Sequence, residues 1–313
     1  MQRVLDPAQI EAFAQRALPR LRLPDSSNLY ARRAQRLRQL AAASALGDYL
    51  QLMAALCDAQ QVALDGLGSV ATAELEAAAE RTTLAQRHGL PPLTADGWPR
   101  HARWRSILTG LCRAIGPLPG FPAPVAEVCS RLTDERAAQP ERQADLLLAG
   151  QTAGIETAAA PFIMAALQVY WVDLGRHLSG TPAPPAVGAM AVVCPLCRTR
   201  PVASVVHADK HYDGYRYLHC ALCATGWHLV RVKCSQCQTT AGIRYHFVEN
   251  ASDAVRAESC DSCHTYRKIL YHEKDPAAEP VADDLATLTL DLLMAADGFH
   301  RGSGNPLLWQ PGA

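Results

Sequence analysis

Four Cys-x-x-Cys pairs, Cys194/Cys197, Cys220/Cys223, Cys234/Cys237 and Cys260/Cys263, constrain this chain more than any other feature. Each cysteine of the last two pairs lies 40 residues after its counterpart in the first two, so C-x2-C-x22-C-x2-C occurs twice and marks an internal duplication. Thr199, Arg216 and Thr225 recur at the same offset as Thr239, Arg256 and Thr265. Two residues between cysteines form a tight turn that aims both sulfurs at one centre, and two such turns supply a closed tetrahedral site. A unit of about 40 residues buries little core, so a metal is the expected source of its stability. The duplication assigns Cys194, Cys197, Cys220 and Cys223 to one site and Cys234, Cys237, Cys260 and Cys263 to the other. The middle pairs, Cys220/Cys223 and Cys234/Cys237, are close enough in sequence to form a site of their own. Four sulfurs suit zinc and iron alike. Glycine often follows the second cysteine of such a turn, where φ is positive, but Arg198, Ala224, Gln238 and His264 hold those places here, which predicts unusual turns.

The rest of the 313-residue chain has another character. Residues 1–178 are rich in Ala, Leu, Arg and Gln, with apolar stripes such as Leu46, Tyr49, Leu50, Met53, Leu56, Cys57 and Ile163, Leu167, Tyr170, Leu174, Leu178 at helical spacing. Leu90-Pro-Pro and the Gly116–Pro122 run break them, so the expectation is an all-α helical bundle. A Pro/Gly-rich linker is expected at 179–190. Beyond it lie eight of the eleven cysteines and eight of the eleven histidines, flanked by short β-prone runs. The repeats are placed at 191–233 and 234–275, and a closing helix with Val281, Leu285, Leu288, Leu292 and Leu293 at 276–313, Asp283 and Asp284 in its first turn. The expected fold is therefore multidomain, α followed by small metal-bound β modules.

Charge narrows the function. The net formal charge is zero, and residues 194–273 hold ten Lys/Arg against seven Asp/Glu. Eight thiolates with two divalent ions would bring that segment near −1, a poor surface for a phosphate backbone. No run of about 18 apolar residues and no secretory leader is read, so a reduced, cytoplasmic protein without membrane insertion is expected. A thioredoxin-type dithiol needs one reactive pair rather than four in tandem. Cys57, Cys112 and Cys129 sit among apolar helical neighbours and are expected to be inert. With eight cysteines filling two sites, His207, His211, His219, His228, His246 and His264 are not expected to be ligands, and Trp98, Trp104, Trp171 and Trp227 are expected in packing. The basic segment Tyr30–Gln39 is expected to be a solvated helix face. No phosphate loop, hydrolase elbow or acid/base pair of carboxylates is seen, so no catalytic residue is assigned.

Cys194-Pro-Leu-Cys-Arg-Thr-Arg-Pro-Val-Ala-Ser-Val-Val, then Arg216-Tyr-Leu-His-Cys-Ala-Leu-Cys-Ala-Thr-Gly-Trp-His-Leu-Val-Arg-Val-Lys-Cys-Ser-Gln-Cys, resemble the bacterial formate dehydrogenase accessory protein FdhE family. Tyr266-Arg-Lys-Ile-Leu-Tyr-His-Glu-Lys-Asp-Pro and Glu279-Pro-Val-Ala-Asp-Asp-Leu-Ala extend the resemblance toward the C-terminus. It implies tandem rubredoxin-like (or zinc-ribbon-like) modules holding iron through the eight cysteines, and a cytoplasmic assembly factor that contacts the catalytic subunit of respiratory formate dehydrogenase. The leading expectation is a chaperone using two four-cysteine metal sites for structure or redox sensing. Electron transfer to a maturing metalloenzyme is the alternative, and a zinc-ribbon nucleic-acid regulator a weaker one. Replacing Cys194 or Cys234 with Ser is expected to disrupt its own repeat and leave the helical domain folded.

Overall fold

The structure, a computed structural model, describes residues 19–67, 72–134, 139–178, 192–208, 213–249 and 251–309. The expected linker at 179–190 lies outside these residues, as does His211.

Among the described residues seven helices precede the four Cys-x-x-Cys pairs: α1 (Leu29–Ala41), α2 (Gly47–Gly66), α3 (Thr72–Arg87), α4 (Arg103–Ile115), α5 (Ala123–Leu132), α6 (Gln139–Leu148) and α7 (Ala160–Arg176). The stripe read in 46–57 is the core face of α2. The stripe in 163–178 belongs to α7, which is buried on every side from Ala160 to Gly175. A helix apolar all round sits at the centre of its bundle, and α2, α4 and α6 pack around this one. Its two buried polar side chains have partners: the Gln60 amide donates to Gln168 Oε1 at 3.0 Å, and Asp173 forms ion pairs with Arg103 and Arg176.

The sheet holds β1 (Leu21–Arg22), β2 (Pro201–Val206), β3 (Arg216–Cys220), β4 (Gly226–His228), β5 (Ile243–His246), β6 (Val255–Cys260), β7 (Thr265–Tyr271) and β8 (His300–Arg301). The order is β1-β4-β3-β2-β7-β6-β5, with β8 beside β7. Each repeat is an antiparallel three-stranded unit, β2-β3-β4 or β5-β6-β7, and the 40-residue shift carries one onto the other. They join head to tail through a parallel pair, Ser204 opposite Ile269. The outer edge of β4 is covered by β1, so the segment read as wholly helical contributes a strand to the sheet. The outer edge of β5 has no partner strand among the described residues.

The closing helix is two helices, α8 (Pro280–Ala286) and α9 (Leu288–Ala296), broken at Thr287 where φ is −110° and ψ 40°. Leu292 and Leu293, expected in its apolar stripe, are exposed. Asp283 and Asp284 are buried. Glu279 caps α8, its Oε2 accepting from the Val281 and Ala282 amides at 3.0 and 2.7 Å. α8 packs against both α1 and β2, and one continuous core runs from the bundle through the first repeat to Leu285.

Candidate metal centres

The cysteines gather in two groups of four, Cys194/Cys197/Cys220/Cys223 and Cys234/Cys237/Cys260/Cys263, with the sulfurs of each group within 4.8 Å of one another. The middle pairs do not share a group. In the first group Cys194–Cys223 and Cys197–Cys220 sulfurs are 3.5 and 3.4 Å apart, and in the second Cys234–Cys263 and Cys237–Cys260 are 3.8 and 3.6 Å apart. Four sulfurs at the usual 2.3 Å from a tetrahedral zinc would be separated by about 3.8 Å. Disulfides need about 2.05 Å. Both groups could therefore hold a metal, and tetrahedral sulfur does not choose between iron and zinc.

Local turns explain the convergence. Leu196 and Gln236 amides donate to Cys194 and Cys234 Sγ at 3.4 and 3.3 Å, and Leu222 donates to Cys220 Sγ at 3.3 Å. Such amides favour the thiolate that a metal requires. The recurring threonines have equivalent places: the Thr199 and Thr239 carbonyls accept from Cys194 and Cys234 N–H at 2.8 Å. The Thr225 and Thr265 hydroxyls lie 3.2 and 2.9 Å from Cys223 and Cys263 Sγ. Arg216 and Arg256 recur in sequence but diverge in use. Arg216 is buried against Glu258 at 2.7 Å, whereas Arg256 pairs with Asp253 at the surface.

The unusual turns are real. Arg198, Ala224, Gln238 and His264 have φ of 65°, 55°, 65° and 52°, and they are the positive-φ non-glycine residues among those described. Each accepts a left-handed conformation that costs a side chain about 1–2 kcal/mol. In three turns, the amides of Arg198, Gln238 and His264 donate back to the carbonyls of Cys194, Cys234 and Cys260 at 2.8, 3.1 and 2.9 Å.

The surroundings of the two groups differ. All four cysteines of the first belong to the main core. After the Leu90-Pro-Pro break, Leu93 and Ala95 amides donate to the Leu196 and Cys197 carbonyls at 2.8 and 2.9 Å. Gln168 of α7 donates to the Ala221 carbonyl at 2.7 Å, so the helical domain clasps both turns of this site. The second group has no such cover: Cys237 is exposed and Cys263 half-buried. None of the described histidines joins either group. Cys57, Cys112 and Cys129 are buried in the bundle, and burial pushes the Cys57 thiol up to about 12. Trp104, Trp171 and Trp227 are buried, and Trp98 packs against the core.

Known proteins share the sequence and fold that hold these two groups. The FdhE N-terminal, central and C-terminal domain descriptions match residues 18–186, 193–231 and 232–308. The chain belongs to the FdhE family. An FdhE homologue of Cronobacter sakazakii is 41% identical over 312 residues, covering 98% of this chain and 97% of the relative. Protein FdhE of Salmonella paratyphi A is 42% identical over 294 residues, 93% of this chain and 92% of that one. The crystal structure of the FdhE protein from Pseudomonas aeruginosa superposes with a TM-score of 0.83 at 37% identity, over 94% of this chain and 100% of that one. The fold of this chain, a helical region joined to a sheet with two four-cysteine groups and C-terminal helices, thus matches that of the FdhE structure. Among the described residues no helix is long and apolar enough to cross a membrane.

Proposed function

We propose that this FdhE-family chain is a maturation factor for respiratory formate dehydrogenase, binding the catalytic subunit in the cytoplasm, with two metal ions each held by four cysteines. Family membership supports the formate dehydrogenase link. The unequal enclosure of the two cysteine groups carries the finer reading. The first, sealed in the core, suits a structural metal that ties the repeat to the helical domain. The second, with Cys237 exposed, suits redox sensing or partner contact. Beside it, Tyr245 and Phe247 are exposed on and just after β5, whose outer edge lacks a partner strand among the described residues. An edge with exposed aromatics is a surface on which another protein can dock.

Exposure of the second group also favours the alternative of electron transfer, since a metal near the surface exchanges electrons with a partner. The deciding experiment is anaerobic purification from the native host without added metal, followed by metal analysis, a visible spectrum and a search for the co-purifying catalytic subunit. The maturation reading expects two metals per chain, the catalytic subunit in the eluate, and lost formate dehydrogenase activity in a deletion strain. Unchanged activity in that strain would sink it. Two zincs per chain would end the electron-transfer alternative and leave maturation by binding.

A further inference from the structure

Where the helical domain meets the first repeat there is a cavity of about 240 Å³. Its walls come from several parts of the chain: β1, α1 and their connection with Arg22, Asp25 and Arg32, β2 with His207 just after it, β3 with His219, His272 after β7, and the segment entering α8 with Glu279. This is not a third metal centre, because no further cluster of ligating side chains occurs among the described residues.

The wall carries two arginines and three histidines, Arg22, Arg32, His207, His219 and His272, against two carboxylates, Asp25 and Glu279. Both oxygens of Glu279 are already used, Oε1 by Arg33 at 3.0 Å and Oε2 by two α8 amides. Asp25 is exposed and accepts from the Ser27 amide and hydroxyl at 3.1 and 2.7 Å. Arg22 is held in place, its Nη1 donating to His207 Nε2 at 2.8 Å and its guanidinium 5.5 Å over the Tyr217 ring. Arg32 is exposed and makes no ion pair within 4.0 Å among the described residues, though its charge adds to the Ser27 hydrogen bonds that hold the Asp25 carboxyl below its ordinary value. His219 Nε2 is buried with no hydrogen-bond partner. A buried polar atom without a partner calls for an explanation, and a bound ligand supplies one.

We propose that this cavity binds a small organic oxyanion, a phosphate monoester or a carboxylate, between the Arg22 and Arg32 guanidiniums, with His219 Nε2–H as the buried donor. Guanidinium forks recognise the planar or tetrahedral oxygens of both classes. The volume exceeds that of a lone inorganic ion, so the anionic group is expected on a ligand of several further atoms. Because the walls belong to separate parts of the chain, an occupant would fasten the helical domain, the first repeat and α8 together.

The test uses the full-length, metal-loaded protein. Histidine ring nitrogen resonances are followed by NMR at constant pH while glycerol 3-phosphate or acetate is added, with chloride replacing either at constant ionic strength. A saturable shift of the His219 resonance with either probe, and about tenfold weaker binding in Arg32→Ala, is the expected result. Response to glycerol 3-phosphate alone identifies a phosphate ligand and response to acetate alone a carboxylate ligand. If neither probe gives a saturable shift beyond the chloride control, or if Arg32→Ala binds as tightly as the parent, the proposal is overturned. Arg32 is exposed and makes no ion pair among the described residues, so its replacement does not threaten the fold.

Discussion

Arg33 and Glu279, 246 residues apart in the chain, form a buried ion pair with Nε 3.0 Å from Oε1. The Arg33 side chain is 1% exposed and that of Glu279 10%. Next to them Arg36 reaches Asp275 and Asp283 at 2.5 and 2.6 Å. The basic segment that reads as a solvated face is therefore partly engaged by the acidic N-terminus of α8 and its approach. Arg33→Ala leaves the Glu279 carboxylate buried and unmatched, and is expected to cost about 3–5 kcal/mol. Urea unfolding of Arg33→Ala, Glu279→Gln and the double variant would check this, with the double variant less destabilised than the sum of the singles.

The two cysteine groups should respond differently to loss of one ligand. Cys194→Ser and Cys234→Ser are each expected to lower metal content from two ions to one per chain. Because the first group shares its core with α7 and the loop at Leu93, Cys194→Ser should also lower the melting temperature of the helical domain. Cys234→Ser should leave that transition in place. Metal analysis paired with calorimetry separates the outcomes, and equal effects on the helical transition would contradict the difference in enclosure.

Partial metal removal should proceed from the exposed side. Mild chelation followed by thiol alkylation and mass spectrometry is expected to label Cys237 and Cys263 first, and Cys194, Cys197, Cys220 and Cys223 last, following their exposure. Simultaneous labelling of all eight would mean that both sites open in one step.

The left-handed positions set a backbone test. Gln238, with φ 65°, should tolerate glycine with little loss. Gln238→Val is expected to cost about 1–2 kcal/mol beyond that, since a β-branched side chain resists positive φ. Thermal unfolding of the metal-loaded variants measures the difference.

Acid should weaken the fold before the carboxylates titrate. Burial holds His272 below its ordinary 6.5, although its hydrogen bond with the Ala278 carbonyl opposes this. A histidine with a depressed folded value contributes stability that is complete above the unfolded value and is lost as pH falls through the folded one. The unfolded chain therefore binds this proton first below about pH 6.5. Urea midpoints at about pH 7.5 and 5.5, with metal content checked at each, should show a smaller acid loss in His272→Gln than in the parent.

Some of this was legible locally. The two-residue spacing brings sulfurs together through turns of a few residues, and the 40-residue shift marks complete units, so the grouping of the eight cysteines could be read before the fold. The places where glycine is missing were likewise visible, and all four turned out left-handed. The stripe of α7 gave its helix but not its burial on all sides, because a period reports one face and says nothing of what covers the others. The break at Thr287 was not visible, since the apolar spacing runs straight across it. In the sequence His219 is marked only by its nearness to cysteines. Its place in a cavity depends on β1 and α8, remote segments with no signature in common.

The sequence by itself determined the helical half, the duplicated cysteine units and the residues of each group, because periodicity and spacing act over short stretches of chain. Only the tertiary structure decided which group is sealed, how β2 meets β7, and that Arg33 answers Glu279. Those outcomes turn on which surfaces meet across long separations, where burial and charge compensation are settled by packing rather than by any local pattern.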